Sequence, residues 1–344
     1  MNELRSAARQ ALLIADVDNK LAAVREINRL WQSGDLLLDQ NQMAEAIGQP
    51  GRPKLPELVK ASRVKRRGFG TVEGRATMMH AIAHIEFNAI NLALDAVQRF
   101  AGMPEEFYSD WLSVAHEEVY HFELIRGHMR HLGAEYGDYV AHGGLWEMCE
   151  KTEYDVLVRM ALVPRVLEAR GLDVTPGIQE KLTQAGDDNA VSLLDIILRD
   201  EIGHVAIGNR WYHFLCKQRG IDAVPFFLEL LEILCPVLFV RRCHLCPKKS
   251  LPVSPLGGFP FQKHIRAIDK ILIKKITHSP GQIKCLATIM IIAEIPGNIF
   301  KTIAPGRSCQ FIKNSPEQNR AVKNPSIIFQ FQLAGKYLPY KTSR

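Results

Sequence analysis

The chain has 344 residues, and 47% of them are hydrophobic, which is enough for one large core or two ordinary ones. No apolar stretch is long and uncharged enough to span a bilayer, and the N-terminus lacks the apolar run and cleavage site of a signal peptide. These features argue against a membrane protein and a secreted protein, and they predict a cytoplasmic location with no membrane partner.

The net charge of +6 conceals a division of the chain. Residues 236–344 contain 18 Lys and Arg but only three acids, whereas residues 1–235 contain 25 basic and 34 acidic residues. Four of the seven cysteines also lie in the basic segment. Such a charge asymmetry is typical of a chain that ends in a basic interaction tail, which is one of the interpretations of this segment.

The first predicted element is a helix over residues 3–33, where apolar residues recur at helical spacing. A connection rich in Gly, Pro and basic residues follows, GQPGRPKLPELVKASRVKRRGFGTVEGR. A loop that wraps around the domain is the favoured interpretation. A nucleic-acid arm is the alternative, and the lack of interleaved aromatic residues argues against it.

Four long helices are predicted next, over about residues 77–100, 105–131, 145–169 and 187–218. Each ends at a Gly or Pro signal: the sequence AGMP, Gly133, Gly171 and Gly220. At about 1.5 Å per residue, they have the proportions of a four-helix bundle. The predicted fold class is therefore all-α, a ferritin-like four-helix bundle with an N-terminal helical extension.

Two copies of a Glu-x-x-His pattern occur in these helices, Glu118 with His121 and Glu201 with His204. Residues i and i+3 share one face of a helix, so each pair can contact one metal ion. Apolar residues such as Phe122 and Val205 lie on the same faces, which predicts that both pairs point into the core. A buried carboxylate is expensive unless a partner compensates its charge, and a metal ion does so.

A single Glu precedes each pair at a similar distance, Glu86 by 32 residues and Glu168 by 33. Glu150 and Glu153 compete with Glu168 on the same predicted helix, and the repeat spacing favours Glu168. One Glu from each of two helices and one Glu-x-x-His from each of two others is the ligand pattern of ferritin-like di-metal proteins. The predicted ligands of two iron ions, with manganese as the alternative, are Glu86, Glu118, His121, Glu168, Glu201 and His204.

Three further residues are candidates for supporting the ligands. Asp200 and Glu117 each precede a Glu-x-x-His pair, and we predict that each holds the histidine of the opposite pair, because metal-bound imidazoles usually donate their other N–H to a carboxylate. His84 is the third candidate. A core histidine without a role at the metal is the alternative there.

Four segments, GRATMMHAIAHIEFNAINLALDA, AHEEVYHFELI, HGGLWEMCEKTEYDVLVRMALVPRVLEARGLDVTP and LRDEIGHVAIGNRWYHFLC, resemble a bacterial ferritin-like family known as domain of unknown function 455. The resemblance covers about residues 4–232. It implies a ferritin-like fold with the same six metal ligands, but it implies no substrate. The family is distantly similar to a di-iron hydroxylase that acts on a hypermodified adenosine in tRNA.

The predicted domains are an N-terminal helix and connection over 1–75, the di-metal bundle over 76–232, and an atypical basic tail over 233–344. The tail departs from the family near Glu232, and we interpret it as a frameshifted, irregular or disordered segment. Two alternatives are a functional basic arm and a zinc site. The zinc site would use Cys235, Cys243 and Cys246, with His244.

The favoured function is that of an O2-dependent di-iron oxidase or hydroxylase. Its partners would be O2, an unknown small-molecule or RNA-linked substrate and an unknown electron donor, and a homodimer is an open alternative to a monomer. Two other hypotheses are a non-catalytic iron-binding or storage protein and a tRNA-modifying hydroxylase.

Overall fold

The computed structural model describes residues 3–42, 46–64 and 67–234. This part of the chain is helical and contains no strand; two isolated bridges join Glu3 to Leu37 and Leu58 to Ala141. The predicted all-α class is confirmed. No helix in the described part is long and apolar enough to cross a membrane. The predicted frameshifted tail beyond residue 234, the proposed zinc cysteines and the alternative basic arm all fall outside the described residues.

The N-terminal extension contains two helices, so the prediction of one helix over residues 3–33 was wrong. α1 spans Leu4–Leu13 and α2 spans Val17–Gln32. The break occurs because the Asp16 carboxylate accepts a hydrogen bond from the Asn19 backbone N–H at 2.9 Å and begins a new helix. α1 packs against the third helix of the chain and α2 against the fourth.

These third and fourth helices form the centre of the fold. α3 spans Val72–Arg99 and α4 spans Glu105–His131, with the bounds predicted for α4. α3 begins earlier than predicted because the Thr71 hydroxyl accepts a hydrogen bond from the Gly74 N–H and caps it. The rings of Phe87 and Phe122 meet between α3 and α4, with their centroids 5.8 Å apart.

The prediction of one helix over residues 145–169 was close at its start, but it missed an interruption and placed the end too early. The chain forms α5 (Gly144–Lys151), α6 (Val156–Leu162), a π-helical turn (Val163–Glu168) and α7 (Ala169–Gln184). Asp155 caps α6 through the Leu157 N–H at 2.7 Å, which separates α6 from α5. Pro164 lacks an N–H for the helical ladder, which favours the wider π turn at this point. Gly171 lies inside α7 and does not end it.

The last two helices complete the described fold. α8 spans Asp188–Arg219 and ends at Gly220, whose φ of +65° is the left-handed conformation common at helix C-termini. α9 spans Ala223–Leu234. α8 packs against α4, α6, α7 and the π turn. The four rods that surround the core are therefore α3, α4, α8 and the continuous run from α6 through the π turn to α7.

Gly208 of α8 lies against Pro164 of the π turn, and this contact yields a stability prediction. A Cβ at residue 208 would lie 2.3 Å from Pro164 Cβ. We expect Gly208→Ala to lower the free energy of unfolding by about 1–3 kcal/mol, because the helix must move away from the proline. Urea denaturation of the two proteins measures this loss.

Gly203→Ala is the matched control in the same helix. Gly203 is exposed and a Cβ there would meet nothing within 4 Å. This substitution should raise stability by about 0.5–1 kcal/mol, since Ala is the better helix former. If both variants changed stability equally, close packing at Gly208 would be refuted.

The Pro-rich connection is attached to the helical body along residues 48–59. Gly51 N–H donates to Leu12 O at 2.9 Å, Val59 N–H donates to Ala141 O at 2.8 Å, and the Trp146 indole donates to Gly48 O at 3.1 Å. This course agrees with a loop that wraps around the domain. The domain boundaries at residues 75 and 232 stay predictions.

Candidate metal centre

Three long helices and the π turn bring the predicted ligands into one region of the core. α3 contributes Glu86, α4 contributes Glu118 and His121, and α8 contributes the second Glu-x-x-His pair. Glu118 and His121 have no exposed surface, and Glu86 is 4% exposed. Such burial of carboxylates and imidazoles is unusual unless their charges are paired or bind a cation.

Glu118 lies between the two histidines. Its Oε2 is 3.2 Å from His121 Nδ1, and its Oε1 is 3.1 Å from His204 Nδ1. His121 Nδ1 is also 3.7 Å from Glu86 Oε2, and His204 Nδ1 is 3.5 Å from Glu201 Oε2. Each histidine thus directs Nδ1 towards two carboxylates, and Glu118 connects the two halves.

Four of the predicted ligands already have the spacing of a metal site. One ligand atom from each of Glu86, Glu118, His121 and Glu201 lies within 4.8 Å of the other three. His204 adjoins this group through Glu118 and Glu201. The structure therefore contains a buried Glu/His cluster that could hold a metal ion.

Glu168, at the end of the π turn, lies close enough for its charge to interact with the cluster. Burial, together with the negative charge of Glu201, raises the pKa of Glu168 to about 8. Its two competitors make surface contacts instead, because Glu150 accepts a hydrogen bond from Gln49 at 2.6 Å and Glu153 pairs with Arg99. Among these three residues, the arrangement favours Glu168 as a ligand.

The other ring nitrogen of each histidine faces a carboxylate on the opposite helix. His121 Nε2 is 3.3 Å from Asp200 Oδ2, and His204 Nε2 is 2.8 Å from Glu117 Oε2. Asp200 in turn accepts a hydrogen bond from Arg199 at 2.8 Å. These contacts orient both imidazoles so that Nδ1 faces the cluster.

His84 is placed elsewhere. Its ring bonds to Tyr136 Oη at 2.9 Å and to Asn88 Nδ2 at 3.1 Å, and neither residue belongs to the cluster. The predicted role of His84 beside the metal has no support in these hydrogen bonds. The roles of all nine predicted site residues, as ligands or supports, stay predictions.

Several buried atoms of the cluster lack hydrogen-bond partners, which tests whether a metal fits. They are Glu86 Oε2, Glu118 Oε1, Glu168 Oε2, Glu201 Oε2 and His204 Nδ1. In the neutral tautomer that donates Nε2–H to Glu117, His204 Nδ1 presents a lone pair towards carboxylate oxygens. Lone pairs that face one another at about 3 Å repel unless a cation or a proton lies between them. The donor set therefore fits divalent cations that accept oxygen and imidazole ligands.

The carboxylates and histidines of the cluster shift one another's pKa values. Burial and the charge of Glu118 raise the pKa of Glu86 well above its usual value. Burial alone would lower the pKa of His121, but contacts with Glu118 and Glu86 raise it to about 11. Burial would raise the pKa of Glu118, and the two histidines instead lower it. A metal ion that bound to these groups would compete with protons for them.

Sequence reasoning missed the π turn that precedes Glu168. The turn depends on Pro164, which the sequence shows, and on the contact with Gly208 of another helix, which it does not. π turns occur frequently at functional sites, because they redirect a side chain within an otherwise regular helix. A proline inside an apolar helical pattern was the available signal.

The comparisons with known proteins agree with the extent of this helical body. An uncharacterized protein of Haemophilus influenzae is 57% identical over 194 residues, which cover 54% of this chain and 67% of the relative. No solved structure matches the chain. The similarity to a tRNA hydroxylase stays a prediction. A family model matches residues 13–238, and the chain therefore belongs to the family described as Protein of unknown function (DUF455).

Proposed function

We propose that this protein is a di-metal carboxylate protein that uses O2 to oxidise or hydroxylate a substrate. The observation that carries the proposal is the convergence of buried, unpartnered Glu and His atoms from α3, α4, α8 and the π turn. In the described residues neither cysteine belongs to this cluster. Oxygen and imidazole donors suit iron or manganese, and iron is the favoured occupant because it supports O2 chemistry.

The six ligands would divide between two ions. Glu118 would contribute to both positions, since its two oxygens face different histidines. Glu86 and His121 would complete one position, and Glu201 and His204 the other, with Glu168 beside Glu201. Bound iron would supply the electrons and the open coordination positions that O2 chemistry needs.

The protein's own contribution is orientation and exclusion of water. Asp200 and Glu117 hold the imidazoles with Nδ1 towards the centre, so the ligands are in place before a metal arrives. Val119 and Phe122 of α4 are at most 1% exposed, and the side chain of Glu118 on the same helix has no exposed surface. A dry site strengthens electrostatic interactions within it.

Anaerobic loading with Fe²⁺, followed by exposure to O2, tests the proposal. We expect about two iron ions per chain and rapid oxidation of both, measured by metal analysis and stopped-flow absorption. His121→Ala should lose both properties, because it removes a proposed ligand together with the imidazole that contacts Asp200. Bound iron that oxidises no faster than free Fe²⁺ would contradict an oxidase.

The same experiment separates the alternatives. A storage protein would continue to take up iron far beyond the two sites and would form a closed assembly of many subunits, which native mass spectrometry detects. An oxidase would stop at the two sites and, after the single oxidation of its own iron, would consume further O2 only together with an oxidisable substrate and an electron donor. The proposed reaction also requires a substrate, which is either a small molecule or linked to RNA. It requires an electron donor as well, and neither partner is identified.

A further inference from the structure

A second candidate site is a pocket where the Pro-rich connection covers α3, and Phe87 of α3 forms part of its wall. This pocket has a volume of about 290 Å³, and none of its lining residues belongs to the metal cluster. The prolines at 50, 53 and 56 line it together with the aromatic side chains of Phe87, Tyr136 and Trp146. Ligand pockets span about 300–1,000 Å³, so this volume suits a small molecule.

The wall from α3 is more polar than a packed core requires. Asn88 and Asn91 line the pocket and are 7% and 1% exposed. Asn88 Nδ2 donates to the backbone oxygen of His84 at 2.7 Å and lies 3.1 Å from His84 Nε2. The side-chain amide of Asn88 must therefore direct its NH2 group at the imidazole of His84, and His84 Nε2 must accept this hydrogen bond.

This assignment determines what Tyr136 offers to a ligand. Since His84 Nε2 accepts, Nδ1 carries the proton and donates it to Tyr136 Oη at 2.9 Å. The Tyr136 hydroxyl hydrogen is then free to donate into the pocket.

Cations at the pocket favour an anionic ligand. Arg52 and Lys60 line it, and within the described part of the chain neither side chain forms a hydrogen bond or an ion pair. Arg52 and Tyr136 both line this pocket, so one ligand can meet a guanidinium and a hydroxyl. Glu147 and Glu150 line it as well, and these acids disfavour a ligand with a second negative group.

We propose that this pocket binds a small aromatic monocarboxylate. Its ring would lie among Phe87, Trp146 and the prolines, and its carboxylate would accept hydrogen bonds from Arg52 and the Tyr136 hydroxyl. Arg binds carboxylates through charge-assisted hydrogen bonds, and aromatic walls favour a flat apolar body. The site is independent of the proposed oxidase activity, because the pocket and the cluster share no residue.

Calorimetric titration of the full chain, stripped of metal with a chelator, tests the site with benzoate as the probe. Benzoate should bind, whereas benzamide, its neutral analogue, and phthalate, its dianionic analogue, should each bind at least about tenfold more weakly. No binding of benzoate up to about 10 mM would refute the proposal. Binding that appears only after iron is added would place the carboxylate on the metal and refute it as well.

Two pairs of variants locate the carboxylate. Arg52→Gln should weaken benzoate binding at least about tenfold and leave benzamide unaffected, whereas Arg63→Gln, an exposed position on the same connection outside the lining, should change neither. Tyr136→Phe should weaken benzoate binding several-fold, while Tyr139→Phe should not. Because Arg52 is exposed, its replacement leaves the fold intact, and unchanged affinity in that variant would overturn the assignment.

Discussion

Replacing Glu118 by Gln is expected to abolish metal binding. Glu118 is wholly buried, and among the described residues it alone contacts both His121 and His204 through its side chain. Gln preserves the shape of the side chain but replaces one anionic oxygen with an NH2 group that cannot ligate a cation. After anaerobic loading with Fe²⁺, metal analysis should find a fall from about two ions per chain to none.

Glu123→Gln is the control for this experiment. Glu123 lies on the same helix, is partly exposed and pairs with Arg25 at the surface. It should retain the full metal content. Thermal unfolding of the metal-free proteins shows whether each variant is folded, and a folded Glu118→Gln variant that still held both ions would refute the assigned centre.

Asp95→Asn is expected to cause the largest loss of stability. Asp95 has no exposed surface and accepts hydrogen bonds from Arg159 at 2.6 Å, from Arg99 at 2.9 Å and from Gln98 at 2.9 Å. The Arg159 contact joins α3 to α6, the helix that leads into the π turn. Removing one partner leaves a buried guanidinium without its counter-charge, which costs about 3–5 kcal/mol. Urea denaturation at pH 7 measures the loss.

The contacts of Asp95 with its arginine partners also predict how this loss of stability depends on pH. Burial alone would raise the pKa of Asp95, but Arg159 and Arg99 lower it below its usual value. A lowered folded pKa contributes stability above the unfolded pKa of about 3.9, and that stability is lost as the pH falls through the folded value. The difference in free energy of unfolding between the wild-type protein and Asp95→Asn should therefore be largest at pH 7 and should decrease below about pH 4.

Glu153→Gln provides the comparison at the surface. Glu153 pairs with the same Arg99 at 3.3 Å, but its side chain is 48% exposed. Solvent screens this pair, so we expect a loss below about 1 kcal/mol. Equal losses in the two variants would show that burial does not determine the strength of the Asp95 network.

The sequence predicted the cluster well because helical periodicity alone places Glu and His on one face. The spacing in α4 and α8 identified both Glu-x-x-His pairs, and the Gly and Pro signals located the ends of α4 and α8 closely. The contacts from Asp200 and Glu117 also followed from sequence order, since each residue immediately precedes one of the pairs.

The third rod could not be predicted in the same way. Its division into α5, α6 and the π turn depends on capping by Asp155 and on the buried pair of Arg159 with Asp95, a residue 64 positions away. The course of the connection likewise depends on backbone hydrogen bonds to distant segments, such as Val59 to Ala141. Local propensity contains no information about such tertiary contacts, so the pocket beside Tyr136 was not foreseen.

The crossed contacts between α4 and α8 make the two halves of the centre depend on each other. Asp200 of α8 orients the histidine of α4, while Glu117 of α4 orients the histidine of α8. Sliding either helix by a fraction of a turn would misalign both imidazoles together. If two ions bind as proposed, the first to enter would fix the helix register that the second requires, and molecules with a single ion should form the minority at every stage of filling.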